Sequence, residues 1–111
     1  MNNFVITKTP MRISFVGGGT DFKEFYKKNK DGVVLNATIN KYVYIIINKY
    51  HDPKKCLLKY SKTEIIKKVN DIKHPLLKGC LKNVKIWGLD INSVADIAGG
   101  TGLGSSSSFT V

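Results

Sequence analysis

The sequence is short of acidic residues and almost devoid of arginine. Eight Asp and Glu residues stand against 18 Lys and Arg residues, so the formal net charge is +10. All the basic residues are lysines except Arg12. Arginine guanidinium groups commonly bind base edges and phosphates through bidentate hydrogen bonds. The shortage of arginine therefore argues against nucleic acid as the natural partner. We interpret most of the lysines as solvated surface that attracts anions with low specificity.

Long apolar runs and clustered cysteines are also lacking. The longest apolar run, residues 42–47, is far shorter than the roughly 20 residues that a membrane-spanning helix needs. No charged segment followed by an apolar one opens the chain, so we expect no secretion. Cys56 and Cys80 match no metal-site spacing and are most simply reduced thiols. These features predict a cytoplasmic protein without a membrane partner.

Glycine and serine are concentrated in residues 96–111. This stretch carries four glycines and then four serines: Gly99, Gly100, Gly102, Gly104, Ser105, Ser106, Ser107 and Ser108. Such glycines let backbone N–H groups approach a ligand closely, and serines favour the start of a helix, where free N–H groups bind anions. Serine hydroxyls can also coordinate Mg²⁺. The stretch therefore predicts a phosphate-binding loop, although not a Walker A loop, because Ser105 replaces the required lysine.

A flexible Gly/Ser linker or tail is the alternative explanation of this composition. Leu103, Phe109 and Val111 count against a linker, since linkers rarely carry side chains of the buried type. Composition alone leaves both explanations open.

A second glycine cluster, residues 17–19, follows a predicted strand over residues 12–16. It places a cation, Arg12, at the start of that strand and a carboxylate, Asp21, just beyond the glycines. Asp21 can accept hydrogen bonds from a polyol, while Arg12 can steady a phosphate or polarise an attacking hydroxyl. Equally, Asp21 can cap a helix with Glu24 as its capping-box partner, and Arg12 can pair with a surface acid. Residue types alone do not separate these explanations.

Together the two stretches resemble the GHMP kinases, the superfamily of galactokinase, homoserine kinase and mevalonate kinase. Residues 99–108 are similar to the family's second motif, which wraps the ATP phosphates, with Ala98 where proline is usual. Residues 9–22 are similar to the first motif. The matching positions there are Pro10, Arg12, Gly17, Thr20 and Asp21. Galactokinases carry Glu-His at positions 18 and 19, so the triple glycine, like residues 36–44, looks more like the D-glycero-D-manno-heptose 7-phosphate kinase branch.

The resemblance implies an ATP-dependent sugar kinase that moves the γ-phosphoryl group to a sugar hydroxyl, with O1 of D-glycero-D-manno-heptose 7-phosphate as the expected acceptor. ATP, Mg²⁺ and a small sugar phosphate are the implied ligands. Arg12 is the implied catalytic residue. The implied sugar-binding residues are Gly17, Gly18, Gly19, Thr20 and Asp21. The implied residues for the ATP phosphates are Gly100, Gly102, Leu103, Gly104, Ser105, Ser106 and Ser107, with Ser106 also a ligand of Mg²⁺.

The order of predicted elements is typical of an α+β fold. Strands are predicted over residues 4–9, 12–16, 33–39, 41–50, 57–60 and 85–94, and helices over residues 21–29 and 63–72, from Pro75, and after the phosphate loop. The resemblance implies a mixed or antiparallel sheet with helices on one side, the ribosomal protein S5 domain 2-like fold of GHMP kinase N-terminal domains.

The chain stops one turn into its last predicted helix. We therefore expect residues 1–111 to be the N-terminal, ATP- and sugar-binding part of a longer kinase whose catalytic Asp, acidic Mg²⁺ ligand and third motif lie elsewhere. We expect this part to be inactive by itself and to self-associate through exposed edges and apolar faces. Another GHMP small-molecule kinase, or a basic non-catalytic module that binds nucleotides or nucleic acid, is the alternative.

Overall fold

One five-stranded sheet organises the molecule, and the computed structural model describes residues 4–111 of it. In chain order its elements are β1 (Val5–Val16), α1 (Lys23–Asn29), β2 (Leu35–Lys49), β3 (Cys56–Lys59), β4 (Thr63–Ile66), a 3₁₀ turn (Val69–Asp71), α2 (Pro75–Val84), β5 (Leu89–Ala95) and α3 (Ser105–Thr110). The strand order is β1-β2-β5-β3-β4, and only β3 and β5 run parallel within this sheet of the described residues. The predicted α+β class with a mixed sheet is confirmed.

The core lies between one face of the sheet and the helices α2 and α3. Its buried members are Cys56, Leu58, Ile66, Ile72, Leu77, Leu81 and Ile91. Phe109 of α3 packs against the same cluster, so α2 and α3 share one side of the sheet. Pro75 begins α2 as predicted, and the ring nitrogen of His74 accepts the Leu77 N–H at 3.4 Å, which caps the helix.

A register shift accounts for the two strand breaks predicted at Pro10 and Asn40. β1 and β2 are each continuous, but their pairing jumps from Pro10 opposite Tyr42 to Arg12 opposite Thr38. The prediction of separate strands on either side of these positions was therefore wrong. β1 is an edge strand, where a proline without an N–H is tolerated. The shift at Met11 leaves backbone groups of β1 available to another element.

Two further sequence predictions were wrong in the second half of the chain. Residues 63–72 were predicted to be helical, but β4 and a 3₁₀ turn occupy this segment. Thr63, Ile65 and Ile66 are β-branched residues, which pack well on a pleated sheet. The last strand begins at Leu89 instead of Lys85, because Lys85 takes a left-handed conformation and ends α2.

The start of α1 also differs from the prediction. Phe22 is its N-cap, and no side-chain hydrogen bond caps the helix, so Asp21 and Glu24 form no capping box. None of the α1 residues is buried. The large apolar side chains of Phe22, Phe25 and Tyr26 recur at helical spacing but stay exposed. No helix among residues 4–111 has the length and apolar character to span a membrane.

Candidate functional site

The first glycine loop is folded tightly against the residues that precede β2. Gly17 has a φ of 80°, and a Cβ there would lie 1.9 Å from the Val33 carbonyl oxygen, so the position requires glycine. The Thr20 hydroxyl donates a hydrogen bond to the same carbonyl at 3.0 Å. Gly17 and Thr20 therefore fix the shape of the loop. Asp21 follows it with a carboxylate that does not cap α1.

The second glycine loop leads into α3, as predicted. Gly100, Gly102 and Gly104 have positive φ angles of 83°, 74° and 70°. The loop and α3 are attached to β1, so this segment is not a free linker. α3 has six residues, and the dipole of so short a helix is small. Anion binding here must therefore depend mainly on loop N–H groups and serine hydroxyls.

Arg12 of β1 contacts the second loop through both its backbone and its side chain. Its N–H donates to the Leu103 carbonyl at 3.0 Å. Its side chain lies against Gly104, where an added Cβ would be 3.1 Å from the Arg12 Cγ. Its Nη1 donates to the Ser14 hydroxyl at 3.1 Å. The fold thus brings the only arginine of the chain to the predicted phosphate loop.

A cavity of about 550 Å³ lies between the two glycine loops, and we call it the interloop cavity. Gly18, Gly19 and Asp21 line it from the first loop, and Gly102 and Ser107 line it from the second. Arg12, Ser14 and Asn36 belong to the strands at its base. Two segments far apart in the sequence therefore face one space.

A second cavity of about 320 Å³, here the serine cavity, adjoins the second loop. It is lined by Arg12, Gly100, Gly102, Gly104, Ser105 and Ser106. Arg12 and Gly102 line both cavities, so they form the shared wall between them.

Among residues 4–111, no three acidic, His or Cys side chains are grouped so that they could hold a metal ion.

A third cavity of about 270 Å³ shares Ser105 and Ser106 with the serine cavity, and we call it the aromatic cavity. His74 and Phe109 stack in its wall with ring centroids 5.1 Å apart, and the Tyr60 ring meets His74 edge-on at 4.7 Å.

Tyr60, in the wall of the aromatic cavity, forms a hydrogen-bonded pair with Glu64. The Tyr60 hydroxyl donates to the Glu64 carboxylate, which also accepts the Lys73 N–H at 3.1 Å. The Tyr60–Glu64 bond lowers the pKa of Glu64 and raises the pKa of Tyr60.

Sequence reasoning missed three polar residues of this region. Ser14 is two residues from Arg12 on the same strand, a spacing that places both on one face and was a usable signal. Asn36 is the register partner of Ser14, which only the strand pairing reveals. Ser108 is buried beneath the second loop, unlike its exposed neighbours Ser106 and Ser107.

No family model matches the chain. By sequence it is 30% identical to D-glycero-alpha-D-manno-heptose 7-phosphate kinase of Campylobacter jejuni, over 95% of this chain and 34% of that protein. By structure it resembles a D-glycero-D-manno-heptose 1-phosphate kinase from Bacteroides thetaiotaomicron, with a TM-score of 0.73 and 22% identity over 92% of this chain and 37% of the other. It also resembles Methanococcus jannaschii mevalonate kinase, with a TM-score of 0.69 and 21% identity over 98% and 38% of the two chains.

The likeness covers nearly the whole chain and extends to kinases of unrelated small molecules. These relatives are GHMP kinases, which the chain resembles in sequence and in fold. Its sheet and helices have the N-terminal domain fold of GHMP kinases, as the two motifs implied. The chain spans about a third of the length of these GHMP relatives.

Proposed function

We propose that this chain forms the ATP- and sugar-binding part of an ATP-dependent sugar kinase. The observation that carries the proposal is the interloop cavity, which Asp21 lines from the first loop and Gly102 and Ser107 from the second, with Arg12 between them. In such an arrangement an acceptor hydroxyl and the terminal phosphate of a nucleotide can meet beside one guanidinium group. Phosphoryl transfer depends mainly on this kind of positioning and charge stabilisation.

The serine cavity is the proposed site of the nucleotide phosphates. Gly100, Gly102 and Gly104 have positive φ angles, with which a loop can turn its N–H groups towards an anion, and the hydroxyls of Ser105 and Ser106 can add further donors. Ser107 and the backbone of Leu103 complete the proposed loop. Arg12, in the shared wall, can bind the terminal phosphate with two parallel hydrogen bonds.

Mg²⁺ fits this site only together with a nucleotide. Mg²⁺ prefers oxygen ligands and usually keeps water and substrate phosphates in its shell. Ser106 is the proposed ligand from this chain, and phosphate oxygens and water supply the remainder. When bound, the ion would neutralise the charge that develops on the phosphates.

The aromatic cavity is the proposed site of the nucleoside. It shares Ser105 and Ser106 with the serine cavity, so a nucleotide can occupy both without a break. The stacked rings of His74 and Phe109 offer apolar faces to a heterocycle.

The first loop is the proposed sugar site. The Asp21 carboxylate can accept hydrogen bonds from two hydroxyls, and Asn36 and Ser14 can both donate and accept. Arg12 can stabilise the negative charge of the attacking oxygen during transfer. Because the Campylobacter jejuni relative is a heptose 7-phosphate kinase, we propose O1 of D-glycero-D-manno-heptose 7-phosphate as the acceptor.

Binding titrations of the 111-residue chain test this proposal. Both MgADP and D-glycero-D-manno-heptose 7-phosphate are expected to bind in calorimetry. Asp21→Asn should weaken binding of the sugar phosphate and leave binding of MgADP unchanged. Ser106→Ala should weaken binding of MgADP and leave binding of the sugar phosphate unchanged. Asp31→Asn, which removes an exposed carboxylate outside all three cavities, serves as the control. Failure of both ligands to bind, or an equal loss of both in each variant, would contradict the proposal.

A further inference from the structure

Ser108 is a polar residue inside the fold. Among residues 4–111 it is the one polar or charged residue that is buried, with 7% of its surface exposed. Its hydroxyl oxygen lies 2.9 Å from the Pro10 carbonyl oxygen and 3.1 Å from the Gly104 carbonyl oxygen. A hydroxyl has a single hydrogen, so the two carbonyls share one donor. The contact with Pro10 joins α3 to β1.

The register shift of β1 makes this contact possible. On one side of Met11, the Pro10 carbonyl accepts the Ser108 hydroxyl. On the other side, the Arg12 N–H donates to the Leu103 carbonyl. These two hydrogen bonds attach β1 to the residue before Gly104 and to the helix after it. The second loop is therefore held on β1 at two points.

Between the two points lies the contact that orients the guanidinium group. Gly104 sits against the Arg12 side chain, and the Ser108 N–H donates to the Gly104 carbonyl at 3.0 Å. A movement of α3 away from Pro10 would thus carry Gly104 away from Arg12. Because Arg12 lines both the interloop cavity and the serine cavity, such a movement would alter both.

We propose that Ser108 is a positioning residue for Arg12. Its hydroxyl holds α3 on the shifted segment of β1 and so keeps the guanidinium group in the wall that the two cavities share. Only the consequence for ligand binding rests on the proposed function, because the position of Arg12 can be measured without a ligand.

The lack of other arginines makes the measurement direct. Arg12 is the single arginine, so its side-chain Nε–H gives one resonance in a ¹⁵N-labelled sample. Ser108→Ala should shift and broaden this resonance. It should also lower the protection of the Arg12 amide from hydrogen exchange by roughly tenfold, the factor for losing about one net hydrogen bond.

Thr110→Ala is the matched control. The Thr110 hydroxyl bonds back to the Ser106 and Ser107 carbonyls at 3.3 and 3.0 Å, as the Ser108 hydroxyl does to Gly104, but it makes no bond to β1. Both substitutions raise helix propensity. The control should leave the Arg12 resonance and amide protection unchanged.

Amides paired between β2 and β5 report global stability in the same samples. If their protection falls as much as that of Arg12, Ser108 supports only the fold and the proposal is overturned.

A second titration separates this inference from the proposed function. Inorganic triphosphate with Mg²⁺ should bind Ser108→Ala about tenfold more weakly than the unaltered chain or Thr110→Ala, as expected for one lost hydrogen bond. If the Arg12 resonance moves in Ser108→Ala but no sample binds triphosphate, the positioning role stands and the phosphate site fails. If triphosphate binds equally to the unaltered chain, Ser108→Ala and Thr110→Ala, and the Arg12 resonance is unmoved in Ser108→Ala, the positioning role is wrong and the phosphate site is supported.

Discussion

Arg12 lies so close to Gly104 that a Cβ on this glycine would be 3.1 Å from the Arg12 Cγ and 3.4 Å from its Cζ. Gly104 also has a φ of 70°, where side chains other than hydrogen are strained. This glycine therefore serves two purposes, because it turns the chain into α3 and makes room for the guanidinium-bearing side chain.

Gly104→Ala should displace Arg12, whereas Gly100→Ala should not. Gly100 has a similar φ of 83° but nothing within 4 Å of an added Cβ, so it carries the backbone strain without the contact. Each variant should lose about 1–2 kcal/mol of unfolding free energy from the left-handed conformation. The Arg12 Nε–H resonance should move only in Gly104→Ala. An equal shift in both variants would show that the contact does not set the position of Arg12.

Gly17→Ala should distort the first loop. The added Cβ would meet the Val33 carbonyl oxygen at 1.9 Å, so the backbone must move. We expect a loss of about 2–5 kcal/mol in chemical unfolding, from the left-handed strain together with overpacking. Gly79→Ala is the control, because its Cβ would meet nothing within 4 Å inside α2. It should stabilise the fold by about 0.5–1 kcal/mol. Unchanged stability of Gly17→Ala would show that the loop is not held against residues 32–34.

The Tyr60–Glu64 hydrogen bond should make stability depend on pH. The pKa of Glu64 is below its ordinary 4.5, so its contribution is present above that value and is lost as the pH falls through the folded pKa. The pKa of Tyr60 is above its ordinary 10.0, so its contribution is present below that value and is lost as the pH rises through the folded pKa. The bond therefore stabilises the fold between these two ordinary values.

Tyr60→Phe checks this window in urea unfolding. The substitution should cost more unfolding free energy at about pH 7 than at a pH below 4.5, where the contribution of the bond declines as the pH falls towards the lowered pKa of folded Glu64. Tyr50→Phe is the matched control, since Tyr50 contacts the His51 ring and makes no carboxylate bond in the described part of the chain. A cost for Tyr60→Phe that is the same at both pH values would rule out the assigned role.

The chain by itself should not transfer a phosphoryl group. Asp21 is the one carboxylate of the described residues that lines the interloop cavity, and it is assigned to the sugar, which leaves no second acid there as a base or metal ligand. Incubation with MgATP and heptose 7-phosphate, followed by ³¹P NMR, should show no sugar bisphosphate. Its formation at a rate above that of ATP and sugar alone would overturn this prediction.

Self-association should occur through the apolar surface beside the first loop. Val16 and Leu35 are register partners, and both are more than 60% exposed, at 68% and 63%. Phe15, Phe22 and Val33 are exposed as well. Leu35→Ser should weaken association in sedimentation velocity, whereas Ile65→Ser, an exposed position on β4, should not. A single monomeric species across the concentration range would contradict the prediction.

Much of the local structure was predictable because it depends on a few neighbouring residues. The run of glycines and serines predicted both the loop and α3, and His74-Pro75 predicted the start of α2. The errors came where a partner strand decides the outcome. Residues 63–66 became β4 because β3 pairs with them, and the breaks at Pro10 and Asn40 became one register shift within continuous strands.

By itself, the sequence determined the positive-φ conformations that glycine adopts most readily, the supply of hydroxyls after them and the presence of a single arginine. The tertiary structure decided which of these groups meet. Ser108 and Pro10 are 98 residues apart in the chain, and four adjacent serines look equivalent until α3 packs on β1 and buries one of them. Local propensity is set within a few residues, whereas the place of Arg12 between two cavities results from the register of β1 with β2 and the docking of α3, which are long-range packing effects.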